Sequence, residues 1–396
     1  MTQWLRRGWL PLILVIAIAY GSFYPFDYAT ALAPPDPWLA LLREKLVWTS
    51  FADVIGNVVL FIPIGLSARL IDGKLRLSVV AALTALIVFY AYAIQVGQYY
   101  FAGRDPLLSD VVWNSAGWMS GVAGAYLLRR WQRAMPRVTH NASRAIALTI
   151  LALWLGSELA PFVPSLDVQR LKDALKPLLH PEDVVVARAF ALSCGLATCA
   201  ELMLIASRED RLWRNLAMLV GATLLGKLLV ATHAWHWATF LAIPCGALLT
   251  RLTQRMHENN RHLVLALLLL AAFTCNEIFP LQLREEQVAM QWIPFAARLG
   301  GNMLTNMDSL FLSLFQYTGI LWFLTQQGAR LVGVTLALSV WAFAMEWAQT
   351  WLADRTPDAT EVLLVMFSAA LIRQMQRHAA PTTHLQGKGL PATQKP

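Results

Sequence analysis

The sequence predicts an all-α polytopic membrane bundle of about twelve helices arranged as three degenerate four-helix units. Three observations predict it. The chain of 396 residues is 57% hydrophobic and only 14% charged, whereas a soluble domain carries about 25% charged residues. Its apolar residues gather into runs close to the ~20 that a spanning helix needs. One plan also recurs along the chain: an apolar run broken at proline, a polar loop, then three more apolar runs.

The first run, Trp9 to Tyr24, breaks at Pro25-Phe26. Its basic front and Ala17 to Ala19 look like a cleavable signal peptide, but comparable segments recur inside the chain, so an uncut helix is expected. A loop with Pro34, Pro35 and Pro37 follows, and Trp38 to Val47 reads as a short interfacial helix. Further helices are expected at Phe51 to Leu70, Leu77 to Gln98, and Leu107 to Arg129-Arg130. These make unit one, residues 1–137.

Unit two, 138–258, opens with Ala145 to Ala160 and breaks at Pro161-Phe162. Its other runs are Val184 to Ala206, Trp213 to Thr232 and Ala234 to Leu249. Unit three, 259–378, begins with Leu263 to Phe279 and breaks at Pro280. It continues through Met303 to Leu324, Leu331 to Gln349 and Thr360 to Ile372. A disordered cytoplasmic tail is expected at 379–396.

The net charge of +8 does not point to nucleic acid, because the basic residues sit at helix ends rather than along one soluble face. Positive-inside topology accounts for them, with most Lys and Arg on the side of both termini. Both termini are therefore expected in the cytoplasm, in a bacterial inner membrane. The sequon-like Asn141-Ala-Ser143 lies in a basic loop placed inside and carries no weight. Cys194, Cys199, Cys245 and Cys275 all lie in apolar runs, where a thiol is a small hydrophobe. No disulfide, zinc or cofactor pattern is visible.

Gln95 to Gly121 is the most informative stretch. Gln95, Gln98, Arg104, Asp105, Asp110 and Asn114 lie between apolar runs, where polar groups are costly unless paired or wet. Asp53 and Asn57 are four apart, as are Asp110 and Asn114, so each pair shares one helical face. Capping accounts for an Asp in a first turn, but not for an Asn one turn deeper. The topology gathers all eight at the extracytoplasmic leaflet. The skeleton returns as Glu346, Gln349, Arg355 and Glu361, each 251 positions later, with Asp358 among them. This is read as an internal duplication, whose Asn is lost to Val365.

Asp53-x-x-x-Asn57, Leu60-Phe61-Ile62-Pro63-Ile64-Gly65, Gln95-x-x-Gln98 and Arg104-Asp105 leading to Asp110-x-x-x-Asn114-x-x-Gly117-x-x-x-Gly121 together resemble the VanZ-like membrane protein family. The resemblance covers about residues 20–130, and about 293–372 more weakly. The family pattern usually has Glu at Gln95, and Glu346 restores it in the second copy. The resemblance implies a multi-pass protein; the founding member is associated with low-level resistance to teicoplanin, without a settled biochemical activity.

The residues leave several roles open. The polar set is either interhelical glue, a site for an amphiphile or lipid-linked glycan, or an acid/base pair of Asp105 and Asp110 in a membrane-embedded transferase or hydrolase. A secondary transporter built from repeats is the other class, although polar groups clustered at one face rather than the midplane argue against it. His233 and His236 read as interfacial rather than metal ligands. Of the single charges inside runs, Arg188 and Lys227 lie toward outer ends and are expected to snorkel, and Glu201 is the oddity. Membrane lipids are the expected partners.

Overall fold

The computed structural model describes residues 2–30, 33–71, 74–134, 142–165, 167–181, 185–207, 211–230, 233–299 and 306–379. The predicted tail beyond 379 and Asn141 lie outside them. Among the described residues there are fifteen α-helices and no strand. Twelve have 18 to 27 residues and fall on the apolar runs.

They are taken four at a time in chain order. The first is α1 (Thr2–Phe23), α3 (Phe51–Ile71), α4 (Leu77–Gln98) and α5 (Leu108–Ala134), with the short α2 (Pro37–Arg43) in its first loop. The second is α6 (Ala142–Leu159), α8 (Val186–Ala206), α9 (Leu212–Leu229) and α10 (Trp237–Gln254), with α7 (Val168–Leu175) in its loop. The third is α11 (Glu258–Ile278), α13 (Met307–Gln326), α14 (Leu331–Gln349) and α15 (Thr360–Ala379), with α12 (Ala296–Leu299) between. Seven of the twelve are long and apolar enough to cross a membrane: α4, α6, α8, α9, α11, α13 and α14. The chain is a multi-pass membrane protein.

By compactness the described residues divide into two units. One lies within Met1–Val138, Pro161–Val163 and Ala296–Asn306; the other within Thr139–Ala160, Pro164–Phe295 and Met307–Pro396.

In the first compact unit, α3 and α5 pack backbone to backbone. A Cβ on Gly121 would lie 2.3 Å from the Ile62 carbonyl oxygen and 2.7 Å from Gly65 Cα, and one on Gly117 would lie 2.2 Å from the Val58 oxygen. Small residues at one-turn spacing permit that approach, since dispersion rather than water expulsion holds helices together in lipid. Phe61, Ile64, Ala91, Ile94 and Trp118 form the core beside this seam. The Trp118 indole N–H donates to Thr84 on α4 at 2.8 Å, so the largest buried side chain keeps its polar atom satisfied. In the second unit, Trp154, Phe273, Phe315, Tyr317 and Trp322 from α6, α11 and α13 lead the core.

The first loop of each quartet folds back on the segment that follows its third long helix. Isolated bridges pair Tyr28 with Phe101, Pro164 with Val230, and Leu283 with Leu352. Tyr28, Pro164 and Leu283 each stand three residues after a proline, namely Pro25, Pro161 and Pro280. The backbone bonds around the bridges also match: Ala29 N–H to Tyr100 O, Ser165 N–H to Leu229 O, and Arg284 N–H to Trp351 O, at 2.8, 2.8 and 2.9 Å.

In the first loop α2 is shorter than the expected Trp38 to Val47 helix, because Asp36 caps it at Leu39 N–H and it ends at Arg43. Trp38, Leu39, Leu42, Leu46, Val47 and Trp48 are all exposed there, as an interfacial segment requires. Where a short final run was expected, α15 extends to Ala379.

Candidate functional site

The first quartet builds its polar site on the end of α4 and the starts of α3 and α5. Gln95 is buried and fully used: its Oε1 accepts the Leu107 N–H at 2.9 Å, and its Nε2 donates to Asp110 Oδ2 at 3.4 Å. Gln95 therefore holds both the turn into α5 and the carboxylate on its first turn. Gln98 donates from Nε2 to the Ser22 carbonyl at 3.0 Å, and Arg104 donates from Nη2 to the Gly21 carbonyl at 3.1 Å. These two satisfy carbonyls left open where α1 ends. Burial holds the Arg104 guanidinium below its ordinary pKa, with Tyr24 acting in the opposite direction.

Asp53 belongs to a reciprocal cap. The Ser50 hydroxyl donates to Asp53 Oδ2 at 2.6 Å and accepts the Asp53 N–H at 3.1 Å, so Ser50 caps the first turn of α3. The Asp53 carboxylate is exposed and within electrostatic reach of Asp110. Asn57 is half-buried one turn deeper on α3. Asn114, one turn below Asp110, is 3% exposed, and its Oδ1 has no hydrogen-bond partner among the described residues. Ser109, in the first turn of α5, also leaves its buried Oγ without a partner among the described residues. Asp105 is exposed on the loop. The structure thus brings Gln95 into contact with Asp110 and Asp53 within electrostatic reach of it, with Asn57 and Asn114 one turn further along their helices. Arg104 and Gln98 instead hold α1.

The corresponding residues of the third quartet make related contacts with different side chains. Glu346 accepts the Asp358 N–H at 2.9 Å, the bond Gln95 makes to Leu107. Gln349 donates to the Glu277 carbonyl at 3.3 Å and also to its carboxylate. Arg355 donates to the Asn276 and Phe279 carbonyls at 2.6 and 2.5 Å. Asp358 caps α15 by accepting the Thr360 N–H at 2.8 Å. Glu361 is closed off: Ser313 donates to its Oε1 at 3.3 Å and the Tyr317 hydroxyl to its Oε2.

The second quartet carries equivalent contacts that its sequence hides. Lys227, three residues before bridged Val230, stands where Gln98 stands relative to Phe101, and it pairs with Glu158, three before Pro161. Ser22 and Glu277 likewise stand three before Pro25 and Pro280. Lys227 does not snorkel as expected; Glu158 gives the ammonium a buried partner, and both are under a tenth exposed. His233 takes the place of Arg104 and donates from Nε2 to the Ala160 carbonyl at 2.5 Å.

Asp308 stands in the first turn of α13, as Asp53 does in α3, and was not singled out from the sequence. It lies 255 positions on, matching Pro25 to Pro280, whereas the later site residues lie 251 on. A single offset could not find it.

Residues 11–129 match the VanZ/LLP1 family. Neither the curated proteins nor the solved structures gave a match to the chain.

Proposed function

With its N-terminal residues 11–129 VanZ-like, we propose that this multi-pass membrane protein binds an amphiphile or lipid-linked glycan at the polar site of its first quartet. The contacts come from Asp53, Asn57, Asp110 and Asn114. Binding would act on envelope composition or glycopeptide susceptibility. One observation carries the proposal: a buried Asn114 oxygen without a partner, one turn below a carboxylate held by a single long amide bond. A buried acceptor left unpaired costs about 1–3 kcal/mol, and hydroxyl donors on a sugar or polar headgroup would remove that cost.

The second copy supports this by contrast, since Glu361 is already engaged by Ser313 and Tyr317. We also infer that the three quartets are copies of one unit. The matched loop bridges and the Gln98, Lys227 and Gln349 contacts support that reading. The charge distribution supports an extracytoplasmic site and cytoplasmic termini.

The experiment compares Asp110→Asn and Asn114→Ala with the parent protein for membrane abundance, melting temperature and detergent or glycopeptide sensitivity. Melting with a polyprenyl-linked glycan against the bare polyprenol reads binding directly. Normal abundance with a lost phenotype and a lost glycan-dependent shift is expected. Lost abundance in both variants would instead make the set interhelical glue.

A further inference from the structure

Glu201 and the end of the bundle around it remain unused by that site. We propose that the ends of α8, α9, α10 and α11 form a second binding site, for the phosphate headgroup of an anionic phospholipid. A cavity of about 600 Å3 opens there, lined by Leu204, Arg211, Leu212, Arg214, Gln254 and Arg261, with Trp213. Its described lining holds three arginines and no acid; Glu209 and Asp210, which precede Arg211, lie outside the described residues.

Four features fit a phosphate. Arg211 is the N-cap of α9 and makes no side-chain capping bond, so first-turn N–H groups remain for an anion at the positive end of the helix dipole. Arginine presents a planar fork that matches phosphate oxygens. Gln254 keeps a buried Nε2 donor without a partner among the described residues. Arg261 is fixed by an ion pair to Glu201, Nε to Oε2 at 3.0 Å, while His262 meets the other Glu201 oxygen at 3.1 Å and stacks on Phe323. The buried glutamate is therefore a tether that sets one arginine in the cavity wall.

The occupant is a lipid rather than a soluble anion because the rim is apolar. Leu204, Leu212 and Trp213 share the lining with the arginines; Trp213 is 43% exposed, and Arg251 lies 5.5 Å over one face of its ring, leaving the other face for an acyl chain. Basic pockets between spanning helices on the cytoplasmic side suit anionic headgroups, and positive-inside counting puts this end in the cytoplasm.

The full chain in neutral detergent is melted with phosphatidylglycerol, phosphatidylcholine or inorganic phosphate. Phosphatidylglycerol is expected to raise the melting temperature and phosphatidylcholine not. The exposed double variant R211Q/R214Q is expected to bind phosphatidylglycerol roughly ten- to thirty-fold more weakly, while the charge-matched R373Q/R377Q on α15 is unaffected. Gln254→Met, which leaves every charge in place, should weaken it by a smaller factor. Equal weakening by both arginine pairs would reduce the site to diffuse basic charge and overturn the proposal. So would a shift from inorganic phosphate equal to that from lipid at the same phosphorus concentration, or no shift with phosphatidylglycerol.

Discussion

Lys227 on α9 is ion-paired with Glu158 on α6, and the two side chains are 4% and 8% exposed. A buried charge left alone is far more costly than the pair is favourable, so breaking it should cost about 3–5 kcal/mol. Lys227→Met or Glu158→Gln should therefore lower the melting temperature sharply, while Lys227→Met with Glu158→Leu recovers most of it. Single variants that melt like the parent would show that water reaches the pair.

The α3 and α5 seam gives a graded packing test. Gly117→Ala and Gly121→Ala place a methyl against backbone oxygens at 2.2 and 2.3 Å, whereas Gly124→Ala meets only a Leu66 side-chain carbon at 3.2 Å. Overpacking costs about 1–3 kcal/mol when neighbours can shift, and a backbone cannot. Membrane abundance should fall for the first two and hold for the third; the same abundance for all three would contradict the close approach.

Arg355 serves two carbonyls where Arg104 serves one. Hydrogen bonds from a charged donor contribute about 1.5–3 kcal/mol each, so Arg355→Gln should destabilise the protein more than Arg104→Gln. Thermal melts of the two variants decide the order, and the reverse order would remove the assigned role.

His233 sits in the loop after α9, and burial holds its pKa below the ordinary 6.5, aided by Lys227 and opposed by the Ala160 hydrogen bond, Asp308 and Glu158. Burial also lowers His236. A group with a depressed folded pKa contributes stability that is present above its unfolded pKa and lost as pH falls through the folded value. The melting temperature should thus fall as pH drops below 6.5, and His233→Gln should flatten that slope while leaving the His236 share. An unchanged slope in the variant would place the titration elsewhere.

Asn114 and Glu361 should respond in opposite ways. Asn114→Leu removes a buried oxygen that has no partner, so stability should hold or rise while the envelope phenotype is lost. Glu361→Leu strands the Tyr317 and Ser313 hydroxyls, so stability should drop by about 1–3 kcal/mol. Parallel melting curves and phenotypes for the pair would test this, and a stability loss at Asn114 would argue for a structural bond in the membrane.

The residues by themselves determined the membrane bundle, because burial in lipid demands long apolar runs whatever their packing. They also determined the polar set from Asp53 to Asn114, since amides and carboxylates between such runs stand out. Their pairing was decided only in three dimensions. Gln98 and Arg104 were legible as polar, yet the α1 carbonyls they serve lie 76 and 83 residues away, and no local pattern encodes that partner. Asp53 was legible as a candidate ligand, and its cap with Ser50 emerged from geometry. The second quartet shows the limit most clearly: Lys227 with Glu158 replaces an amide with a carbonyl. Its likeness to the first lies in where a side chain reaches, which tertiary structure fixes, rather than in which residue does the reaching.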